Sequence, residues 1–457
     1  MTSPTPGGDT VLRIEDLHGS LRDPVLDAMN FLNEVVSRYP EAISFAPGRP
    51  YDPLLDPAVI TDCLTAWTDH LRRDQGLSEP QISTLLMQYG PTAGIIREPI
   101  ARSLAEDEGI HVPAEAIVVT VGAQEGMLLV LRALCAGPDD VLLAPSPCYV
   151  GISGAARLLD IPLFPVPEGE HGIDAADVAD AARRARAQGL RPRALYLVPD
   201  FANPSGVCMT VPARRELLAA AGEEGLLILE DNPYGMFRAD AESTRPTLKA
   251  LDTDRRVIYL GSLAKTGFPG ARVGYVVADQ RVEGPGGSTL LADQLAKVKS
   301  MTTVNTPALS QAVIGGLLVR NGFRMRTASL AAAAFYRENI ARLLDALDRH
   351  FPEPERTARG IDWNRPEGGF FVVLSVPFDA DERALERSAG RHQVLWTPMS
   401  PFYIGGGGVR RLRLSCSAVP PELVDEGVRR FAEFVAEAES PAVPHSMATS
   451  ISAVGRG

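Results

Sequence analysis

Val257-Ile258-Tyr259-Leu260-Gly261-Ser262-Leu263-Ala264-Lys265-Thr266-Gly267-Phe268-Pro269-Gly270-Ala271-Arg272-Val273-Gly274-Tyr275 joins an apolar, strand-like run, Val257 to Leu260, to a segment carrying a serine, a lysine and an arginine. That order places Ser262, Lys265 and Arg272 at the end of a strand. A lysine amine withdrawn from water can condense with a carbonyl to give a Schiff base, while a hydroxyl and a rigid guanidinium fork are donors to a phosphate. The set suits a phosphorylated aldehyde. One lysine after a strand is also an ordinary surface residue, so the other parts of such a site must come from elsewhere in the chain.

The chain has 457 residues, room for roughly two or three domains and a large buried core. Its net charge of -12 works against nonspecific attraction to nucleic acid or anionic lipid, and no basic cluster offsets it, so neither partner is expected. The first ten residues lack the charged-then-apolar order of a secretion signal, and no apolar run reaches the ~18 residues that would span a bilayer. A cytoplasmic protein is expected. The five cysteines are odd in number and lack paired spacing, which predicts reduced thiols and no metal site.

Short apolar runs alternate with helix-like stretches through the middle of the chain, the pattern of a mostly parallel sheet with helices on its faces, hence an α/β fold. The expected strands are Ile117 to Val121, Val141 to Ala144, Ala194 to Val198, Leu226 to Leu229, Val257 to Leu260 and Val273 to Val277. Most lack apolar/polar alternation, as strands covered on both faces should. Beyond about residue 320 come a long helical stretch, Ala328 to Arg349, strand-like Phe370 to Leu374 and Arg411 to Leu414, and a final helix from Pro421 to Ala438. This predicts a smaller α+β unit. The expected division is an N-terminal arm with part of the small domain (1–50), a large domain (51–325), a small C-terminal domain (326–439) and a disordered tail (440–457). Two glycine-rich stretches, Gly284 to Gly287 and Gly405 to Gly408, read as loops.

Ligands of open α/β sheets gather beyond the carboxyl ends of the strands. After the first expected strand, Gly122-Ala123-Gln124 opens a helix whose free amides and dipole would hold an anion. The second is followed by Tyr149, a ring that could lie against a flat heteroaromatic group. The third leads to Asn203, an amide donor for a phenolate oxygen. The fourth runs into Asp231, a carboxylate able to keep a pyridine nitrogen protonated. Lys265 follows the fifth. Each alone also reads as a turn, a core tyrosine or a surface charge. Together, in chain order, they are the inventory of a pyridoxal 5'-phosphate site.

From about Ser44 to Ser417 the chain resembles the fold-type I, pyridoxal-phosphate-dependent enzymes of the class I/II aminotransferase family, in particular the aminoadipate and kynurenine aminotransferase group. The matching pieces are Gln88 to Gly94, Val121 to Gln124, Pro147-Cys148-Tyr149, Asn203 to Gly206, Asp231 to Tyr234, Ser262 to Tyr275 and Arg411 to Ser415. The resemblance implies a large domain with a mostly parallel central sheet plus a smaller α+β domain. It also implies Lys265 as the Schiff-base lysine, Asp231 on the pyridine nitrogen, Asn203 and Tyr234 on the phenolic oxygen, and Tyr149 stacked on the ring. Phosphate contacts would come from Ala123, Gln124, Ser262 and Arg272, with Tyr89 from the second subunit of a homodimer. Arg413 would grip the substrate carboxylate, with Gly48 and Asn203 nearby. Strand period alone leaves this open, because Arg411 and Arg413 would share one face and Arg410 the other.

Two departures stand out. The family's Ser-x-Ser-Lys is Ser262-Leu263-Ala264-Lys265 here, one hydroxyl short, and Ser44 to Tyr51 carries Arg49 and Tyr51 as local variations that either shape specificity or pack. The expected activity is transamination between an L-amino acid and a 2-oxo acid. Phe31 to Val35 and Ala46 to Pro50 resemble aminotransferases of bacterial specialised metabolism, including those making arylglycines. The same cofactor and lysine also serve elimination, oxidation and carbon–carbon bond formation. A pyridoxal-phosphate-sensing regulator is a further alternative, although the stretch of fewer than about fifty residues before Ser44 is too short and too acidic for the usual basic DNA-binding segment.

Overall fold

Seven strands make the central sheet of the computed structural model, which describes residues 11–237 and 245–439. They are β1 (Ile117–Thr120), β2 (Asp140–Ser146), β3 (Leu163–Pro167), β4 (Arg191–Leu197), β5 (Leu227–Asn232), β6 (Val257–Ser262) and β7 (Gly274–Val277), in spatial order β1-β7-β6-β5-β4-β2-β3. Neighbours from β6 through β3 run parallel, while β7 is antiparallel to both β6 and β1. The unalternating apolar runs are buried throughout, as strands sandwiched between helix layers must be.

Several expected boundaries move. The fourth expected strand continues to Asn232, so Asp231 lies inside β5 and not in the loop after it. No strand was expected at Leu163–Pro167, whose two prolines read as a breaker; it forms at the sheet edge, where a missing N-H costs no ladder bond. The Gly284 to Gly287 stretch is the tip of a hairpin, with both end glycines inside its strands Arg281–Gly284 and Gly287–Leu290.

A second sheet is antiparallel, built from β8 (Asp362–Trp363), β9 (Phe371–Ser375), β10 (Thr397–Pro398) and β11 (Arg411–Ser415) in the order β8-β9-β11-β10. Helices Leu330–His350 and Val424–Glu439 cover it through Leu343, Leu347, Phe431 and Phe434, packed with Leu374 and Leu412 in one core. Near the chain start, Ile43–Ser44 pairs in parallel with Val394–Leu395, which carries residues 46–49 to the junction of the two sheets.

The expected disordered tail, residues 440–457, and the first ten residues lie outside the described part of the chain. Among the described residues, no helix is long and apolar enough to cross a membrane.

Candidate active site

Two reversals of direction cancel: because β7 opposes both β6 and β1, the carboxyl end of β1 opens on the same edge as those of β2, β4, β5 and β6. All five strand ends therefore border one cavity of about 390 Å³. Ala123, Gln124, Tyr149, Asn203, Asp231 and Tyr234 line it, as do Ser262, Lys265, Arg272, Arg413 and Gly48. Of the sequence-predicted site residues only Tyr89 stands outside, on the surface and 86% exposed.

Lys265 projects into the cavity and donates from Nζ to the Gly48 carbonyl at 2.5 Å. Burial first, then the positive charges of Arg413 and Arg272, push its pKa down to about 8. At neutral pH this raises the share of free, nucleophilic amine by roughly two orders of magnitude over an ordinary lysine.

Deeper in the cavity, Asp231 is 2% exposed. Its Oδ2 accepts from the Tyr196 hydroxyl at 2.8 Å, while Oδ1 is buried without a partner. Burial raises its pKa to about 7, the Tyr196 bond pulling the other way. A buried carboxylate with a free lone pair demands a cationic donor. Tyr149 sits at the start of helix Val150–Leu158; an added Cβ at Gly151 would collide with its ring, so glycine there lets the ring fold over the first turn. Burial pushes the Tyr149 hydroxyl up to about 12 and the Tyr234 hydroxyl upward as well, so both remain donors at neutral pH.

At one end, helix Gly122–Leu134 points its first turn at Arg272. A Cβ at Gly122 (φ +74) would lie 2.5 Å from Arg272 Nη2, so only glycine lets the guanidinium close over the helix start. Arg272 itself adopts a left-handed conformation, φ +51, after the short helix Pro269–Ala271. With Ser262 beside them, these groups form an anion nest.

At the other end stands Arg413, from β11. It is 5% exposed and lines the cavity, whereas Arg411 is exposed and bonded to the Tyr403 hydroxyl. Arg413 donates from Nη1 to Asn203 Oδ1 at 2.5 Å, and from Nη2 to the Ala46 carbonyl at 3.0 Å and Thr397 Oγ1 at 3.3 Å. Its Nε is buried without a partner, and its carbon lies 4.3 Å from the Phe371 ring centroid and 5.2 Å from that of Phe402.

Sequence reasoning missed Tyr196, Ala46, Thr397, Val36 and Phe402. Tyr196 stood in an apolar strand and read as core; the others come from elements far away in sequence. Ala264, where the family carries a hydroxyl, lines the cavity beside Lys265. Arg49 lies at the rim, paired with Asp52 at 2.6 Å, while Tyr51 packs on Phe335 with ring centroids 4.6 Å apart.

A lysine of depressed pKa, an anion nest and a buried carboxylate with a free oxygen fit pyridoxal 5'-phosphate, the unpartnered Asp231 Oδ1 matching its pyridinium nitrogen. On an α/β scaffold of this topology they define a fold-type I, pyridoxal-phosphate-dependent enzyme. The family model for aminotransferase class I and II matches residues 62–431, and the chain belongs to that family. It is 50% identical over 432 residues to the (S)-3,5-dihydroxyphenylglycine transaminase of Amycolatopsis orientalis, covering 94% of this chain and 96% of that one. It is 32% identical over 398 residues to the 2-aminoadipate transaminase of Thermus thermophilus, covering 86% and 90%. Among solved structures, the kynurenine aminotransferase of Pyrococcus horikoshii, in complex with PMP, is similar with a TM-score of 0.79 at 26% identity, over 93% of this chain and 98% of that one. The α-aminoadipate aminotransferase of Thermus thermophilus, complexed with N-(5'-phosphopyridoxyl)-L-leucine, gives a TM-score of 0.73 at 31% identity, over 92% and 98%. The enzyme is a pyridoxal-phosphate-dependent aminotransferase.

Proposed function

We propose that this aminotransferase acts on an arylglycine of the (S)-3,5-dihydroxyphenylglycine type, with a 2-oxo acid as its second substrate, in specialised metabolism. The observation that carries this reading is the 50% identity, over 94% of the chain, to a transaminase named for that amino acid. The cavity supports it, because Val36, Val150 and Phe402 give an apolar wall for a ring attached directly to the reacting carbon.

Pyridoxal 5'-phosphate, when bound, supplies a carbonyl for the amino group and a ring that takes up the electron pair left at Cα. Lys265 Nζ would hold the cofactor and, once free, would act as the base that takes the proton from substrate Cα. Asp231 keeps the pyridine nitrogen protonated through Oδ1 while Tyr196 holds Oδ2. Asn203 and Tyr234 donate to the phenolic oxygen, and Tyr149 lies against the ring. Ala123 and Gln124 amides, Ser262 and Arg272 hold the phosphate. Arg413 grips the substrate carboxylate with donors not already committed, next to Gly48 and Asn203.

The working unit we propose is a cytoplasmic homodimer in which Tyr89 reaches the partner's phosphate site. Support comes from large apolar side chains left exposed on the single chain, among them Met87 at 74%, Tyr89 at 86% and Met301 at 84%. The division into arm, large and small domains at residues 50, 325 and 439 belongs to the same proposal. Sedimentation velocity at micromolar concentration separates dimer from monomer, and limited proteolysis tests the boundaries.

The substrate assignment is tested in a single turnover. Mixing the loaded enzyme with (S)-3,5-dihydroxyphenylglycine alone is expected to release a stoichiometric amount of the arylglyoxylate and leave the cofactor as pyridoxamine phosphate, with or without air. Peroxide or ammonia as products, or a higher kcat/KM for 2-aminoadipate, contradicts the assignment.

A further inference from the structure

Asn364 lies outside the cavity, between β8 and the Gly368-Gly369 turn, yet it touches both sheets. Its side-chain Oδ1 accepts from the Val373 amide at 2.8 Å and its own amide donates to the Val373 carbonyl at 3.2 Å, which locks it onto β9. Val373 is the direct cross-strand neighbour of Arg413. From the same side chain, Nδ2 donates to the Ser205 carbonyl at 2.5 Å, in the turn that presents Asn203.

That turn is seated closely on the small sheet. A Cβ at Gly206 (φ +72) would lie 2.8 Å from the Phe371 carbonyl oxygen, and one at Gly369 (φ +78) would lie 2.6 Å from Phe201 Cβ, so both contacts require glycine. Asn364 ties the backbone of this turn to β9, while the Asn203 side chain meets Arg413 of β11.

We propose that Asn364 is a positioning residue for the transamination: it clamps the Asn203 turn to β9 and so fixes the Asn203–Arg413 pair in register. The pair spans two sheets that share no strand, so nothing in either sheet's ladder sets its geometry. Displacement of reacting groups by about 1 Å costs roughly a hundredfold in rate. The substituents nearest Asn203 act on two separate measurables, carboxylate binding through Arg413 and the charge of the phenolic oxygen through the Asn203 amide.

The proposal rests on the roles proposed for Asn203 and Arg413, and it is tested with Asn364→Ala and Asn364→Asp. The aspartate keeps the acceptor for Val373 but sets a carboxylate oxygen against the Ser205 carbonyl in place of the donor, so it breaks the clamp while preserving the β9 contact if alanine disrupts folding. Both variants are expected to bind phenylacetate, an unreactive aryl carboxylate, roughly tenfold more weakly, and to shift the pH midpoint of the bound cofactor's absorbance upward. KM for the amino acid should rise more than kcat falls, with the apoenzyme's thermal midpoint close to wild type for Asn364→Asp. If both variants keep wild-type phenylacetate affinity and absorbance midpoint, whatever their thermal stability, the clamp is overturned. Arg413→Ala and Asn203→Ala separate the two failures. Loss of phenylacetate affinity in these but not in the Asn364 variants removes the clamp alone, whereas no loss in any removes the roles beneath it.

Discussion

A guanidinium that is 5% exposed, with no carboxylate paired to it among the described residues, is costly to keep in a protein interior. Arg413 is held instead by a carbonyl, a hydroxyl, an amide oxygen and the faces of Phe371 and Phe402, an arrangement that leaves its charge uncompensated until an anion enters. Burial accordingly lowers its pKa to about 10, still well above neutrality. Arg413→Ala should reduce kcat/KM by roughly 10²–10³ in steady-state assays, mainly through KM, and lysine should restore little, since a point charge cannot replace a fork. Asp231 poses the mirror problem. In the apoenzyme its pKa is raised from 3.8 to about 7, so the folded chain holds a proton that the unfolded chain releases. Its contribution to stability is therefore full below about pH 4 and lost as pH rises towards about 7. Asp231→Asn should flatten the decline of the apoenzyme's thermal midpoint between about pH 5 and about pH 7, measured by calorimetry against wild type.

Helix Ala308–Arg320 approaches helix Ala58–Arg73 so closely that an added Cβ at Gly316 would collide with the Cys63 carbonyl, and one at Gly315 would lie 2.7 Å from the Trp67 ring. Backbone on both sides leaves no side chain to yield. Gly316→Ala should destabilise the fold by about 2–3 kcal/mol, read in denaturant unfolding, while kcat of the folded fraction stays unchanged. Elements of this kind were the most legible in sequence where burial was complete. β2, β4, β5 and β6 were all found as unalternating apolar runs, because strands covered on both faces carry no polar period. β3 was not, since Leu163-Phe164-Pro165-Val166-Pro167 has the composition of a breaker and forms a strand only because its edge position forgives missing donors. The antiparallel direction of β7 was equally hidden, as side-chain pattern is the same in either direction.

Across the whole molecule, the large sheet brings Asp231, Lys265 and Arg272 to the cavity and the small sheet brings Arg413. Lys265 and the anion nest follow their strands directly in sequence and Asp231 is the last residue but one of β5, so motif order revealed them, and a resemblance to the family picked Arg413 from three neighbouring arginines. Ala46, Thr397 and Asn364 were not legible, because their contribution exists only where distant segments meet: Ala46 and Arg413 touch across 367 residues of chain. Tyr89 is exposed and does not line the cavity of its own chain. The chemistry nevertheless hinges on one amine. Treating the loaded enzyme with borohydride and mapping the labelled peptide by mass spectrometry should place a reduced pyridoxyl group on Lys265 alone, and Lys265→Ala should take up no label and lose turnover by at least ~10³-fold. A label on any other lysine, or one that persists in Lys265→Ala, would contradict the assignment of Lys265 as the residue that carries the cofactor.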